Sequence, residues 1–189
     1  MVNETDLCYL GGIPGEGLRE VFGVREEESQ SYFPNESVGI KMADGNLLGL
    51  NKNYKAVDTC SLIHAEGAEV LATYADQYFA GSPALTVNSC GKGKAYYIAA
   101  RSEAALLSDL YGKLIPVMSL ERVIDVDLPT GVTAQVRTDG RTKYIFLMNF
   151  NARQETLDLD AIYTELLTGK TVGRTVTLGR YGVMVLTKP

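Results

Sequence analysis

The pattern of apolar and polar positions reads as β from Val24 to Ala100 and again over 122–189. Val38-Gly-Ile40-Lys-Met42 shows the two-residue period, and Asp44-Gly45 behind it predicts a hairpin turn. Glu69 to Tyr74 is a second strand candidate. Ala84-Leu85-Thr86-Val87 and Ala95-Tyr96-Tyr97-Ile98-Ala99 are two more, and Gly91-Lys92-Gly93 lies between them. Two glycines there permit positive φ, so residues 84–99 predict a β-hairpin. Helical spacing interrupts the pattern twice. A short helix is expected from about Glu16 to Phe22, with Leu18, Val21 and Phe22 on one side and Gly23 as a left-handed stop. The one long helix is expected from Ser102 to Ile115, with Leu107, Leu110, Tyr111 and Leu114 as its apolar face. Ser102 can cap its start, while Pro116 cannot continue it and restricts Ile115 as well. Residues 1–14, with Asn3, Asp6, Gly11, Gly12 and Pro14, read as a loop.

A boundary is expected after that helix, near Met118 to Glu121, dividing the chain into 1–118 and 119–189. The second part reads as all β. Val132, Ala134 and Val136 alternate with Thr133, Gln135 and Arg137, and Asp139-Gly140 follows as a hairpin turn. Tyr144 to Met148 is apolar throughout and predicts a strand buried on both faces. Leu157 with Leu159, Val176 with Leu178, and Val183 to Leu186 mark further short strands. Their close spacing predicts a small antiparallel sandwich or open barrel. The fold class expected is therefore α+β, mainly β: a hairpin-rich first part followed by a small all-β domain.

Composition narrows the function classes. The chain has 189 residues and a net charge of −5, with no Lys/Arg stripe, so nucleic acid and anionic membranes are not expected partners. No stretch approaches the ~20 apolar residues of a membrane span. No basic region followed by an apolar run marks a signal peptide. The three cysteines, Cys8, Cys60 and Cys90, are odd in number and irregularly spaced. They predict free thiols and a cytoplasmic location rather than a disulfide framework.

Four stretches, in this order, resemble one family. They are Leu10-Gly-Gly-Ile-Pro-Gly15 with Leu18-Arg-Glu-Val-Phe-Gly-Val24 and Glu26-Glu-Glu28; Gly67-Ala-Glu-Val-Leu-Ala-Thr-Tyr74; Ala80-Gly-Ser-Pro-Ala-Leu-Thr-Val-Asn88 running into Gly91-Lys-Gly-Lys-Ala-Tyr-Tyr-Ile98; and Leu166-Leu-Thr-Gly169 with Tyr181-Gly-Val-Met-Val-Leu186. Together they resemble the trimerisation domain and C-terminal β domain of the family-42 glycoside hydrolases, the β-galactosidases. The resemblance implies a (β/α)₈ barrel with two catalytic glutamates, then an α/β domain related to class I amidotransferases that makes trimer contacts, then a small antiparallel domain. This sequence is expected to start partway through the middle domain, because the parallel strands at its front and the whole barrel are missing. The resemblance carries no catalytic glutamate onto any position here. It implies self-association, a trimer in the parent enzyme, and contact with galactoside only through the missing barrel. Size agrees, since such a barrel needs roughly 250 residues and repeated strand–helix alternation.

The remaining constellations favour structure over chemistry. In a strand, Cys60 and His64 would share a face with their Cβ atoms ~13 Å apart; on a helix they would be neighbours, and even then no third triad member accompanies them. Cys90, weighed as an amidotransferase-type nucleophile, lacks the helix that must follow its turn. Gly91-Lys92-Gly93-Lys94 lacks the spacing and helix of a phosphate loop. A single His and unpaired cysteines do not predict a metal site, and no cofactor is implied. Glu26-Glu27-Glu28 reads as a solvated loop or edge. Tyr74, Tyr78 and Phe79 could stack on a sugar, although core or interface packing is the commoner role of such aromatics. No catalytic, cofactor or metal residue is therefore assigned. The function expected is a non-catalytic oligomerisation segment of a β-galactosidase. The alternative is a free-standing carbohydrate-binding β module, against which the absence of Trp counts.

Overall fold

In the computed structural model, residues 13–15 and 17–188 are described. The loop expected over 1–14 therefore lies, apart from Ile13 and Pro14, outside the described residues, as does Cys8. The chain divides into two units, Met1–Ser119 and Leu120–Pro189.

The first unit begins with α1 (Leu18–Phe22). It stops where predicted: Gly23 takes φ 61° and its N–H donates to the Arg19 carbonyl. There follow β1 (Val24–Ser31), β2 (Val38–Met42), β3 (Asn53–Ala65), β4 (Glu69–Tyr74), β5 (Pro83–Cys90), β6 (Gly93–Ile98), β7 (Ala100–Ser102) and α2 (Ala104–Val117). The strands form one sheet in the order β1-β3-β2-β4-β5-β6, with β7 on β3, and every pairing is antiparallel. Only Ala99 separates β6 from β7, so the sheet curls back towards β3. That long strand serves three neighbours. Ala56 pairs with both Val38 and Ser102, and Cys60 with both Gln30 and Ala100. A bulge makes this possible: Asp58 takes φ 61°, and the register with β7 shifts between Ala56 and Cys60. Val38, Ile40, Tyr54, Leu71, Tyr74 and Leu85 fill the interior, with Leu106 and Leu110 of α2 packed among them. Each fully buried aliphatic side chain contributes about 2 kcal/mol by leaving water.

The hairpin of 84–99 is present, with Cys90 opposite Gly93 and Gly91 at φ 57°. Other expectations are corrected. Asp44-Gly45 does turn, but β2 returns as β3 only after residues 43–52. The Asn46 amide donates to the Ala43 and Leu50 carbonyls (both 2.7 Å) and its oxygen accepts from the Leu48 and Leu50 N–H groups. The side chain thus replaces backbone pairing and folds the loop inwards, burying Leu48 and Leu50. Ser102 does not cap α2, because strand pairing with Ala56 holds it in β7. The N-cap is Glu103, whose N–H donates to the Lys55 carbonyl and whose carboxylate accepts the Lys55 N–H, both at 2.9 Å. Pro116 does not end the helix, which runs on to Val117. In the last turn proline removes a single bond, and the Met118 N–H to the Leu114 carbonyl (2.9 Å) closes the end regardless. Tyr111, placed on the buried face by spacing, is exposed.

The second unit contains β8 (Val132–Thr138), β9 (Lys143–Asn149), β10 (Glu155–Asp158), β11 (Tyr163–Glu165), β12 (Thr171–Val172), β13 (Thr175–Leu178) and β14 (Val183–Thr187). Five strands form one sheet, β12-β11-β14-β9-β8, and β10 pairs with β13 in another. Ile145, Leu147, Tyr163 and Leu186 from the larger sheet meet Leu157, Val176 and Leu178 from the smaller. This is the expected small antiparallel sandwich, and the class is α+β, mainly β. Tyr144 to Met148 is not buried on both faces: Ile145 and Leu147 are buried, whereas Tyr144, Phe146 and Met148 are only half-buried. The smaller sheet covers one side of β9, so burial there follows the pleat although the sequence is uniformly apolar. Val136, expected on the dry side of β8, is exposed. The Asp139 carboxylate accepts the Arg141 and Thr142 N–H groups (2.9 and 2.7 Å), fixing the turn between β8 and β9.

Candidate functional site

The edge strand β1 carries the Glu26-Glu27-Glu28 run singled out from sequence. Its register against β3 shifts between Glu26 and Glu28, which leaves Glu27 as the extra residue. The bulge gives each of the three glutamates a different partner. Glu26 accepts from Ser29 and from the Tyr97 hydroxyl at 3.2 Å. Glu27 pairs with His64, and that hydrogen bond holds its carboxyl below the usual range. Glu28 accepts the Tyr78 hydroxyl at 3.0 Å. Nearby, Arg19 grips Glu66 with two nitrogens (2.5 and 2.6 Å), and this lowers the Glu66 carboxyl. The run is thus a solvated edge whose charges are spent on neighbours.

Cys60 and His64 do not form a nucleophile–base pair. Cys60 is buried, and burial pushes its thiol up to about 11, the opposite of activation. His64 is taken by Glu27. Cys90 is exposed at the end of β5 and is followed by β6, not by a helix. The Gly91-Lys92 segment is the hairpin turn.

The aromatic group separates into inside and outside. Tyr74 is buried, its hydroxyl donating to the carbonyls of Ala99 and Ser61 (2.6 and 3.1 Å). Phe79 is buried too and lies edge-on to both Tyr74 and Tyr78, at 4.8 and 5.0 Å between ring centres. Tyr78 alone of the three is exposed, and one tethered tyrosine is not a stacking platform.

Carboxylates in two of the cavities are likewise committed. A cavity of about 360 Å³ beside β2 and β3 is lined by Asp76 and Glu103. Asp76 accepts the Gly39 N–H and Glu103 the Lys55 N–H, both at 2.9 Å. In the second unit a cavity of about 550 Å³ is lined by Glu165, Val172, Val176 and Met184. Glu165 accepts the Leu167 and Thr168 N–H groups there (3.1 and 2.7 Å) and so shapes a turn. Among the described residues no cluster of His, Cys, Asp or Glu could hold a metal ion. None of their helices is long and apolar enough to cross a membrane. Sequence reasoning missed Asn46, Asn149 and Glu165, which hold backbone together. Asparagine beside a glycine turn was the only available signal for the first.

Residues 1–121 match the family model described as the β-galactosidase trimerisation domain, and residues 131–188 match the β-galactosidase C-terminal domain. The chain belongs to the family-42 β-galactosidases. It is 42% identical over 187 residues to a β-galactosidase of Clostridium perfringens, covering 98% of this chain and 27% of that protein. It is 44% identical over 191 residues to one from Alicyclobacillus acidocaldarius, covering 100% and 28%. Among solved structures, a β-galactosidase from Rahnella sp. R3 matches with a TM-score of 0.80 and 44% identity, over 100% of this chain and 27% of that one. Another from Bacillus circulans sp. alkalophilus gives 0.81 and 38%, over 100% and 27%. The chain thus spans about a quarter of the length of these relatives and corresponds to the trimerisation and C-terminal domains of a family-42 β-galactosidase. No (β/α)₈ barrel is present among its described residues.

Proposed function

We propose that this chain is the assembly segment of a β-galactosidase. Its first unit joins copies of the protein, and its second is a small β domain that closes its own core. In the parent enzyme a separate barrel hydrolyses terminal β-D-galactosides, and this segment holds subunits in register around it. The domain division proposed is 1–118 and 119–189, and the location proposed is the cytoplasm. The observation that carries the reading is the match of residues 1–121 to a trimerisation domain. It is supported by the state of the carboxylates: Asp76, Glu103 and Glu165, which line two of the cavities, accept backbone N–H groups, whereas retaining glycosidases require a facing pair ~5 Å apart.

Two measurements test it. Light scattering of residues 1–189 should show self-association at micromolar concentration, and of residues 120–189 a monomer. A monomeric full chain, or a self-associating 120–189, refutes the assignment. Purified chain should not hydrolyse a chromogenic β-galactoside. Turnover abolished by substituting an acid of this chain would overturn the non-catalytic role.

A further inference from the structure

Two Asp-Gly pairs stand in turns of this chain, and they form a matched comparison. Both aspartates are exposed. Gly45 takes φ 68° and Gly140 φ 92°, and a Cβ built on either glycine meets no atom within 4 Å. Packing therefore shields neither pair, and hydrogen bonding separates them. The Asp139 carboxylate accepts the Arg141 and Thr142 N–H groups at 2.9 and 2.7 Å and the Tyr144 hydroxyl at 3.2 Å. The Gly140 N–H donates to Thr138 Oγ1 at 3.0 Å. Asp44 has no such clamp. Among the described residues its carboxylate accepts no hydrogen bond and joins no ion pair, and the Gly45 N–H has no acceptor.

An unclamped Asp-Gly pair has a chemistry of its own. Glycine presents a main-chain nitrogen with no Cβ beside it, and that nitrogen can reach the aspartate carboxyl carbon to close a five-membered ring. We infer that Asp44-Gly45 is a site of spontaneous main-chain isomerisation, whose product releases the loop that buries Leu48 and Leu50. The Gly45 nitrogen attacks the Asp44 Cγ. An N–Cγ bond forms, the nitrogen gives up its proton, and a carboxyl oxygen leaves as water, which yields a cyclic imide. Water then adds back at one of the two imide carbonyls. Opening at the Asp44 main-chain carbonyl leaves the chain running through Cβ and Cγ, an isoaspartate; opening at Cγ restores aspartate. One water leaves and one returns, so no other reactant is needed.

The neutral carboxyl is the better electrophile. At Asp139 the Thr142 and then the Arg141 N–H hold the carboxyl below its ordinary range, which keeps it ionised. Ring closure there must also open the clamp, and giving up two hydrogen bonds slows it about tenfold or more.

The place of Asp44 in the loop sets the consequence. The Ala43 carbonyl accepts the Asn46 N–H at 3.3 Å and the Asn46 side-chain amide at 2.7 Å, so both bonds span Asp44 and Gly45. Isoaspartate adds a main-chain carbon inside that span. Asn46 then loses its hold on Ala43, and with it the position in which its oxygen receives the Leu48 and Leu50 N–H groups, at 3.2 and 3.3 Å. Leu48 and Leu50 are 7% and 6% exposed and belong to the core of the first unit.

The test ages the 189-residue chain at pH 7, warm but below its melting transition, and in parallel in urea. Peptide mapping with electron-transfer fragmentation tells isoaspartate from aspartate at both turns. In the folded chain isoaspartate should accumulate at Asp44 about tenfold or more faster than at Asp139, and in urea the two rates should nearly meet. No isoaspartate at Asp44, equal rates in the folded chain, or an equal gap in urea overturns the inference. Hydrogen exchange over residues 43–52 reads the consequence. The aged native chain should lose protection at the Leu48 and Leu50 amides. Asp44→Glu aged alongside should keep it, because its longer side chain must close a less favourable six-membered ring. Unchanged protection in the aged native chain, or equal loss in Asp44→Glu, refutes the release of the loop.

Discussion

The Tyr74 hydroxyl donates to the Ala99 carbonyl at 2.6 Å, from β4 to the single residue that separates β6 from β7. Ala99 is where the sheet bends back, and its carbonyl also accepts the Ser61 N–H at 2.7 Å. A buried phenol thus pins the bend. Burial raises the pKa of this hydroxyl, so it stays protonated and a donor at neutral pH. Tyr74→Phe should therefore destabilise the first unit by about 1–3 kcal/mol, because Ala99 keeps the Ser61 N–H as its second donor while the Ser61 carbonyl loses the hydroxyl. Urea denaturation measures this, and an unchanged midpoint would show that the bond adds nothing.

Acid should weaken the fold through specific pairs. Glu66 is held low by the Arg19 hydrogen bonds and then by the charges of Arg19 and Arg25. Asp109 is held low by hydrogen bonds from Lys52 and then Tyr54. A carboxylate whose folded pKa is depressed contributes stability that is present above its ordinary pKa and lost as pH falls through the depressed value. The melting temperature should hold from neutrality to about pH 5 and decline below about 4.5. These groups are solvent-exposed, so the decline from either pair is shallow. Glu66→Gln should lower the midpoint at pH 7 and flatten the acid limb, whereas a variant parallel to the native curve would discount the pair.

The strands were largely legible because their signals are local. Two-residue alternation marked β2 and β8, and glycines marked the Gly91 turn and the stop at Gly23. Where neighbours decide, the reading failed. β3 escaped notice because its alternation breaks at Asp58, where the strand passes from one set of neighbours to the next. Ser102 carries a capping residue's chemistry but is claimed by strand pairing. Tyr111 shows the limit most directly: helical periodicity says which side is apolar, not whether the chain's own core reaches it. For the candidate site, the order of weak motifs carried the family, while the partners of Glu26, Glu27 and Glu28 depended on a bulge that no spacing rule foretells.

Thiol chemistry should separate the cysteines. Cys60 is 2% exposed, and burial lifts its thiol to about 11; Cys90 is exposed and free. At pH 8 a thiol reagent should modify Cys90 readily in the native protein, and Cys60 only as fast as the first unit opens. Peptide mapping by mass spectrometry after timed labelling distinguishes the two. Equal rates would mean that Cys60 is not sealed in the core. Cys8, outside the described residues, is read as a third free thiol, which titration of the denatured, unreduced protein checks.

Asn149 is the sharpest test of the second unit, because it is buried and uses both ends of its amide. Its nitrogen donates to the Arg153 and Gly179 carbonyls, both at 2.8 Å, and its oxygen accepts the Asn151 N–H at 2.9 Å. One side chain thereby joins the end of β9 to the turns before β10 and β14. Asn149→Ala leaves the Arg153 carbonyl and the Asn151 N–H without this partner, while Gly179 keeps the Gly182 N–H. The expected cost is about 2–3 kcal/mol, from unsatisfied groups more than from lost volume. Asn149→Asp should be worse than alanine at pH 7, since it sets a carboxylate oxygen against two carbonyls in a buried site. Protonation restores one donor, so the carboxyl pKa in the folded variant must rise above its unfolded value. Stability relative to Asn149→Ala should then improve as pH falls through that raised value. Denaturant unfolding followed by circular dichroism at pH 7 and pH 5 reads both effects, and an aspartate variant as stable as alanine at both pH values would show that water already reaches this network.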